Sequence, residues 1–156
     1  MARAQAGEPE AFVTLLHRHD GVLRALAWQV LRDAEAMDDV MGQMFRKAYL
    51  GIGGFREGAS ARAWLSKLTW AACAEELRAH RRAGRERPFP PVGDELDDAL
   101  VALSPEQRAT VMLVDAEGYR YQDAARVLGT PPDTVAGRLA EARALLRRAL
   151  DAQGSR

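Results

Sequence analysis

Apolar residues recur at steps of three and four through most of the chain, the spacing of amphipathic helices. Phe12, Leu15, Leu16, His19, Leu23, Leu26 and Val30 make a first stripe. Val40, Met44, Phe45, Ala48 and Tyr49 make a second, and Trp64, Leu65, Leu68, Ala72 and Leu77 a third. Val135, Leu139, Ala142, Leu146 and Ala149 predict one continuous buried stripe on a final helix. No convincing run alternates polar and apolar residues, so the expected class is all-α.

Turn and cap residues punctuate these stripes. GIGGFREGAS, residues 51 to 60, holds four glycines and predicts a loop, with Ser60 capping the helix that follows. SPEQR predicts another helix start: Ser104 as N-cap, Pro105 at the first helical position and Gln107 completing a capping box. That helix should end at Glu117-Gly118. A short helix over 121 to 128 should stop at Gly129, and Thr130 should cap the last helix with Pro131 and Pro132 in its first turn. Two short helical stretches around so compact a turn suggest a helix-turn-helix. A helical hairpin with a solvated arginine face is the plainer alternative.

Charge divides the chain further. Residues 1 to 83 carry 12 basic and 10 acidic groups, residues 84 to 103 carry 2 and 5, and residues 104 to 156 carry 8 and 7. Pro88, Pro90 and Pro91 forbid a regular helix in the middle stretch. The expected organisation is therefore two small helical domains, residues 1–83 and 95–156, joined by a flexible linker at 84–94. The formal net charge of zero excludes an indiscriminately basic binder but allows local basic faces. Cys73 is the single cysteine, which excludes an internal disulfide or a cysteine zinc site and fits a reducing cytosol. The polar start and the absence of a long apolar run predict a cytoplasmic protein without membrane insertion.

The chemistry on offer is binding chemistry. A helix-turn-helix presents its second helix to the major groove, and Thr134, Gly137, Arg138, Glu141 and Arg143 are the outward positions expected there. Arg147 and Arg148 extend the basic side. LRAHRR, residues 77 to 82, closes the third stripe with cations, which a helix C-terminus also favours for its own sake. Trp70 is read either as a stacking platform for unpaired bases or as core. The acidic pair of DDVMGQMF, 38 to 45, suits a partner surface or an ordinary helix N-terminus. His17, His19 and His80 lack metal-type spacing, and no phosphate loop or nucleophile motif is present.

In order along the chain, GEPEAFVTLLHRHDGVLRALA, MDDVMGQMFRKAY, FREGASARAWLSKLTW, LRAHRR and LSPEQRATVMLVDAEGYRYQDAARVLGTPPDTVAGRLAEARALLRRAL resemble the extracytoplasmic-function (ECF) group of sigma factors in the bacterial sigma-70 family. The resemblance covers nearly the whole chain outside the linker. It implies a first domain that binds the clamp of the largest subunit of core RNA polymerase and recognises the promoter's minus-ten element. It implies a second, helix-turn-helix domain that reads the minus-thirty-five element. No catalysis, cofactor or metal is implied, and an anti-sigma protein is an expected partner.

Carried onto this chain, the resemblance places polymerase contacts at Asp38, Asp39, Gln43, Phe45 and Tyr49. It places promoter contacts at Arg62, Lys67, Trp70, Glu75, Arg78, Arg81 and Arg82 in the first domain. In the second it places them at Arg120, Thr134, Arg138, Arg143 and Arg147. Several positions depart from the family pattern. Gly42 and Gln43 stand where the family has Gln-Glu or Gln-Asp; Ala71 and Glu75 replace Asn and Asp; Glu76 replaces a commonly basic residue. Ala136, Gly137, Ala140 and Glu141 stand where Lys, Ser, His and Arg are frequent. Two alternatives therefore stay open: a sigma-like protein with little promoter recognition, and a stand-alone helix-turn-helix regulator.

Overall fold

The computed structural model describes residues 1–85 and 94–155. Among them, α1 (Ala2–Gln5), α2 (Pro9–Leu31), α3 (Ala34–Gly51) and α4 (Ala61–Arg82) precede α5 (Glu95–Val101), α6 (Pro105–Val111), α7 (Tyr121–Leu128) and α8 (Pro132–Gly154). No β-strand occurs among the described residues. The chain divides into two compact units, Met1–Ala79 and His80–Arg156. The linker expected at 84 to 94 lies for the most part outside the described residues.

In the first unit, α2 and α3 are joined by only Arg32 and Asp33, which forces them to pack on each other. Arg32 closes α2 in the left-handed region at φ 52°, its N–H bonded to the Trp28 carbonyl at 2.8 Å. Its guanidinium lies over the Trp28 ring at 5.9 Å from the centroid, an attraction that offsets part of the backbone cost. Asp33 then caps α3, its carboxylate accepting the Ala36 N–H at 2.8 Å. Leu23, Leu26, Ala27, Val30 and Leu31 of α2 are fully enclosed, as are Val40, Met41, Met44 and Ala48 of α3.

The glycine-rich segment is more ordered than a simple loop. Gly51 ends α3, and Ile52–Gly54 form a 3₁₀ turn. Gln5 of α1, a helix the apolar pattern does not mark, donates its side-chain amide to the carbonyls of Ile52 and Phe55 at 3.3 and 2.8 Å. Phe55 packs edge-on against Trp64, ring centroids 5.3 Å apart. Ser60 caps α4 as expected, accepting the Ala63 N–H at 3.1 Å.

The buried side of α4 differs from the predicted stripe. Leu65 and Ala72 are buried, but Trp64, Leu68 and Leu77 are only half-buried, and Ser66, Thr69 and Cys73 complete the inward face. These small side chains fit the interior because their polar groups can be satisfied locally: the Thr69 hydroxyl donates to its own helix at Leu65 O, 3.0 Å. Burial, and next the field of Glu76, push the Cys73 thiol up to about 12, so it stays protonated and inert.

In the second unit α5, α6 and α7 each pack against α8. Asp94 caps α5 by accepting the Asp97 N–H at 2.7 Å. The expected capping box is present: Gln107 N–H reaches Ser104 Oγ at 3.1 Å, and Ser104 N–H reaches Gln107 Oε1 at 3.0 Å. After Val111 the helix widens into one π turn, Met112–Ala116, and ends where Glu117 N–H bonds Met112 O. Gly118, at φ 70°, reverses the chain. Arg108 lies inside this core, its guanidinium donating to the Leu103 carbonyl, an arrangement no periodicity signals.

Two details of α8 correct the sequence reading. Gly129, at φ 64°, does stop α7, and Thr130 N–H bonds back to Ala125 O at 3.1 Å. The N-cap of α8 is Pro131 and not Thr130, whose hydroxyl makes no hydrogen bond. Thr130 is spent on closing α7, so its side chain stands a residue too early to reach the first free N–H groups of α8. Burial is complete at Val135, Leu139 and Ala142, whereas Leu146 and Ala149 are half-exposed, because α8 outruns the helices packed on it.

Removing one side of the capping box exposes its worth. Ser104→Ala should destabilise the second unit by about 1 kcal/mol, read as faster amide exchange in α6 of the full chain with α2 and α3 unchanged.

Candidate polymerase and nucleic-acid interfaces

Helical geometry decides which predicted residues share a surface. On α3, Asp38, Phe45 and Tyr49 are separated by seven and four residues and fall on one line. Asp39 and Gln43 form the adjacent, more exposed line, continued by Arg46 and by Leu50, which is 78% exposed. The five expected polymerase contacts therefore sit together on one helix. Tyr49 was also counted in the apolar stripe, yet it is 55% exposed. It leans edge-on against Phe12 of α2 at 5.4 Å, while Phe45 is half-buried. Asp38 is engaged by Arg24 at 3.0 Å, and Arg24 also pairs with Asp20. Its guanidinium is held above the ordinary arginine range, chiefly by the Asp38 bond.

On α4 the outward line runs Lys67, Ala71, Ala74, Arg78 and Arg82, at steps of four and three. Cations thus flank a pair of alanines too small to stand above the helix surface. Trp70 flanks this line half-buried, between the two readings open from the sequence. Arg81 is exposed on the same edge, three turns further along. Glu75 is turned aside and bound to Lys47 of α3 at 3.3 Å, a link between the two helices. Arg62 lies apart, half-buried on the far side of α4. There its charge acts on His19, whose pKa is pushed down by burial first and by Arg18 and Arg62 next.

The second unit separates the predicted contacts more sharply. Burial of Val135, Leu139 and Ala142 leaves Thr134 and Arg138 on one flank of α8. Arg143, five residues beyond Arg138, is turned about 140° from it at 100° per residue. Arg138 is not fully exposed as its outward position suggests: it is half-buried, and its Nη1 is sealed from solvent without a hydrogen-bond partner. It lies close enough to the buried stripe for the packed helices to cover part of it. Glu141 is on the same flank, with Gln107 Nε2 at 3.5 Å. Between the flanks, Gly137 and Ala140 form the exposed ridge.

Arg143 is held by a two-point bond. Its Nε and Nη2 donate to the two carboxylate oxygens of Asp115 at 3.1 and 2.5 Å. That bond, ahead of other causes including the Tyr121 hydroxyl, raises its pKa. Arg147 stands one turn further along and donates to Arg143 O at 3.4 Å. Arg120 is exposed at the start of α7. The sequence reading singled out neither Asp115 nor Tyr121, since 28 residues separate Asp115 from its partner.

Among the described residues no group of His, Cys, Asp and Glu is arranged to hold a metal ion, and no helix is long and apolar enough to cross a membrane. Two all-helical units, one carrying a helix-turn-helix, make an arrangement suited to binding DNA and a protein partner. The profile for Sigma-70 region 2 matches residues 15–83, and that for Sigma-70, region 4 matches residues 93–146. The ECF RNA polymerase sigma factor SigM of Mycobacterium tuberculosis is 38% identical over 162 residues, covering 96% of this chain and 82% of the relative. The structure of the sigma factor RpoE in complex with the anti-sigma factor NepR, from Bartonella quintana, is similar at a TM-score of 0.80 and 25% identity, covering 91% of this chain and 98% of that one. CnrH in complex with the cytosolic domain of CnrY is similar at 0.73 and 28%, covering 97% and 94%. The chain belongs to the ECF sigma factors of the sigma-70 family.

The ridge of α8 generates a direct test. A Cβ built at Gly137 meets nothing within 4 Å, so Gly137→Ala should raise stability by about 0.5 to 1 kcal/mol from helix propensity alone. Thermal unfolding of the full chain checks this. A lowered midpoint would mean that the ridge is packed rather than open.

Proposed function

We propose that this sigma factor uses residues 1–83 to engage core RNA polymerase and the minus-ten element, and residues 95–156 to read the minus-thirty-five element. The observation that carries the reading is the sorting of its charges. The α3 ridge of Asp39 and Gln43, beside Asp38, Phe45 and Tyr49, offers an acidic and aromatic face to a basic clamp surface. The α4 line of Lys67, Arg78, Arg81 and Arg82, with Trp70 beside it, offers cations and a stacking ring to a DNA strand whose bases are unpaired. Arg62 and Glu75 contribute by shaping this helix, Glu75 through Lys47, before any direct contact.

On α8 the small ridge of Gly137 and Ala140 lets the helix approach the groove floor. Thr134 and Arg138 on one flank, and Arg143 and Arg147 on the other, then reach the two phosphate walls, with Arg120 adding a third point. Phosphate contacts set register; base-edge contacts set sequence. With few polar groups on the ridge, this domain positions more than it discriminates, which favours one second reading: a polymerase-binding factor with weak promoter selectivity. The factor performs no chemistry and acts in the cytoplasm beside the polymerase. The anti-sigma partner named for RpoE supports a similar antagonist here.

Two substitutions test these assignments. Asp39→Arg sets like charge against the clamp, a juxtaposition that costs several kcal/mol at a packed interface, and should abolish core-polymerase pull-down. Full retention would move the interface elsewhere. Arg138→Ala should lower promoter-specific transcription in vitro roughly ten-fold, equivalent to about 1.4 kcal/mol, while leaving helicity and core binding intact. Normal transcription would leave α8 a scaffold and favour the weak-selectivity reading.

A further inference from the structure

We infer that Asp115 is a positioning residue for promoter binding: it holds Arg143 in the orientation that meets a phosphate of the upstream element. The inference rests on the reading of Arg143 as a DNA contact. The geometry begins with the fork of the guanidinium. Nε and one Nη2 hydrogen are committed to the Asp115 carboxylate, at 3.1 and 2.5 Å. The planar group is thereby fixed about its own axis, and the remaining N–H donors on Nη1 and Nη2 are directed away from Asp115. The arginine side chain is 48% exposed, so those donors are accessible.

Three elements converge on this one cation. Asp115 comes from the π turn after α6, Tyr121 from the first residue of α7, and Arg143 from the start of the fourth turn of α8. The Tyr121 hydroxyl adds, after the Asp115 carboxylate, to what keeps this guanidinium charged. A surface arginine ordinarily loses much rotamer freedom when it binds. Here part of that ordering is already in place before DNA arrives.

Simple electrostatics makes the opposite prediction for the same residue. A carboxylate beside a phosphate contact repels the DNA and cancels the arginine's charge, so its removal should strengthen binding and leave specificity unchanged. The sign of the Asp115 effect therefore separates positioning from neutralisation.

The test uses full-length protein bound to core RNA polymerase. The probes are the upstream duplex that the wild-type holoenzyme selects from a randomised pool and a scrambled duplex of equal length. Asp115→Ala should weaken binding of the selected duplex about five-fold, the scale of one lost preorganised side chain, and that of the scrambled duplex by less, because only the selected duplex fixes the register of its phosphates against Arg143. Asp115→Asn, which keeps one acceptor oxygen, should fall between. Arg143→Ala should weaken binding and reduce the salt slope by about one. The double variant should be no worse than Arg143→Ala alone, because Asp115 acts only through that arginine.

Equal or tighter binding by both Asp115 variants, with Arg143→Ala impaired, overturns the positioning role and leaves Arg143 a DNA contact. Additive losses in the double variant, matched on the scrambled duplex, would make Asp115 merely structural and also overturn it. Unchanged binding by Arg143→Ala removes the DNA contact itself, and the inference with it.

Discussion

Burial of Val135, Leu139 and Ala142 fixes the rotation of α8 about its axis, and everything the helix-turn-helix can present depends on that rotation. With those three side chains inward, Gly137 and Ala140 have to face out, and Arg138 and Arg143 have to stand on opposite flanks. A turn of the helix by one residue's worth would bring Arg138 fully into solvent, but it would expose Leu139. Full burial of such a side chain is worth roughly 1.5 to 3 kcal/mol, more than a single solvated arginine gains. The apolar stripe therefore dictates where the cations go.

The same priority governs the first unit. The inward residues of α4 include Ser66, Thr69 and Cys73, small enough to let the helix seat closely, and this seating turns Lys67, Ala71, Ala74 and Arg78 outward. On α3 the enclosure of Val40, Met41, Met44 and Ala48 leaves Asp39 and Gln43 at the surface. Faces of opposite character arise on neighbouring helices of a chain whose formal net charge is zero. Several cations are already answered within the protein: Arg24 by Asp20 and Asp38, Lys47 by Glu75, Arg143 by Asp115. Counterion release on DNA is correspondingly small for the chain alone.

Local order was legible in the sequence because it is decided within a turn or two of chain. The capping box of Ser104 and Gln107, the Ser60 cap, the Gly129 stop and the apolar stripe of α2 each need only neighbours three or four residues away. The all-helical class followed from the same short-range signals, and the ECF sigma factors from the resemblance of whole motifs in order along the chain. Where two local devices competed, the reading failed: Thr130 serves the end of α7, so Pro131 is the N-cap of α8.

Tertiary structure alone decided which side chains meet across long separations. Nothing within a turn of Asp115 announces Arg143, and the same is true of Lys47 with Glu75 or of Gln5 with Phe55. Nor could periodicity tell that Arg138 would be half-covered, since a stripe names the buried line but not how far packed neighbours spread beyond it. The sequence by itself determined the helices, their caps and the family. Packing, which rotates each helix until its apolar line is enclosed, determined which charges are left to face a partner and which are already held.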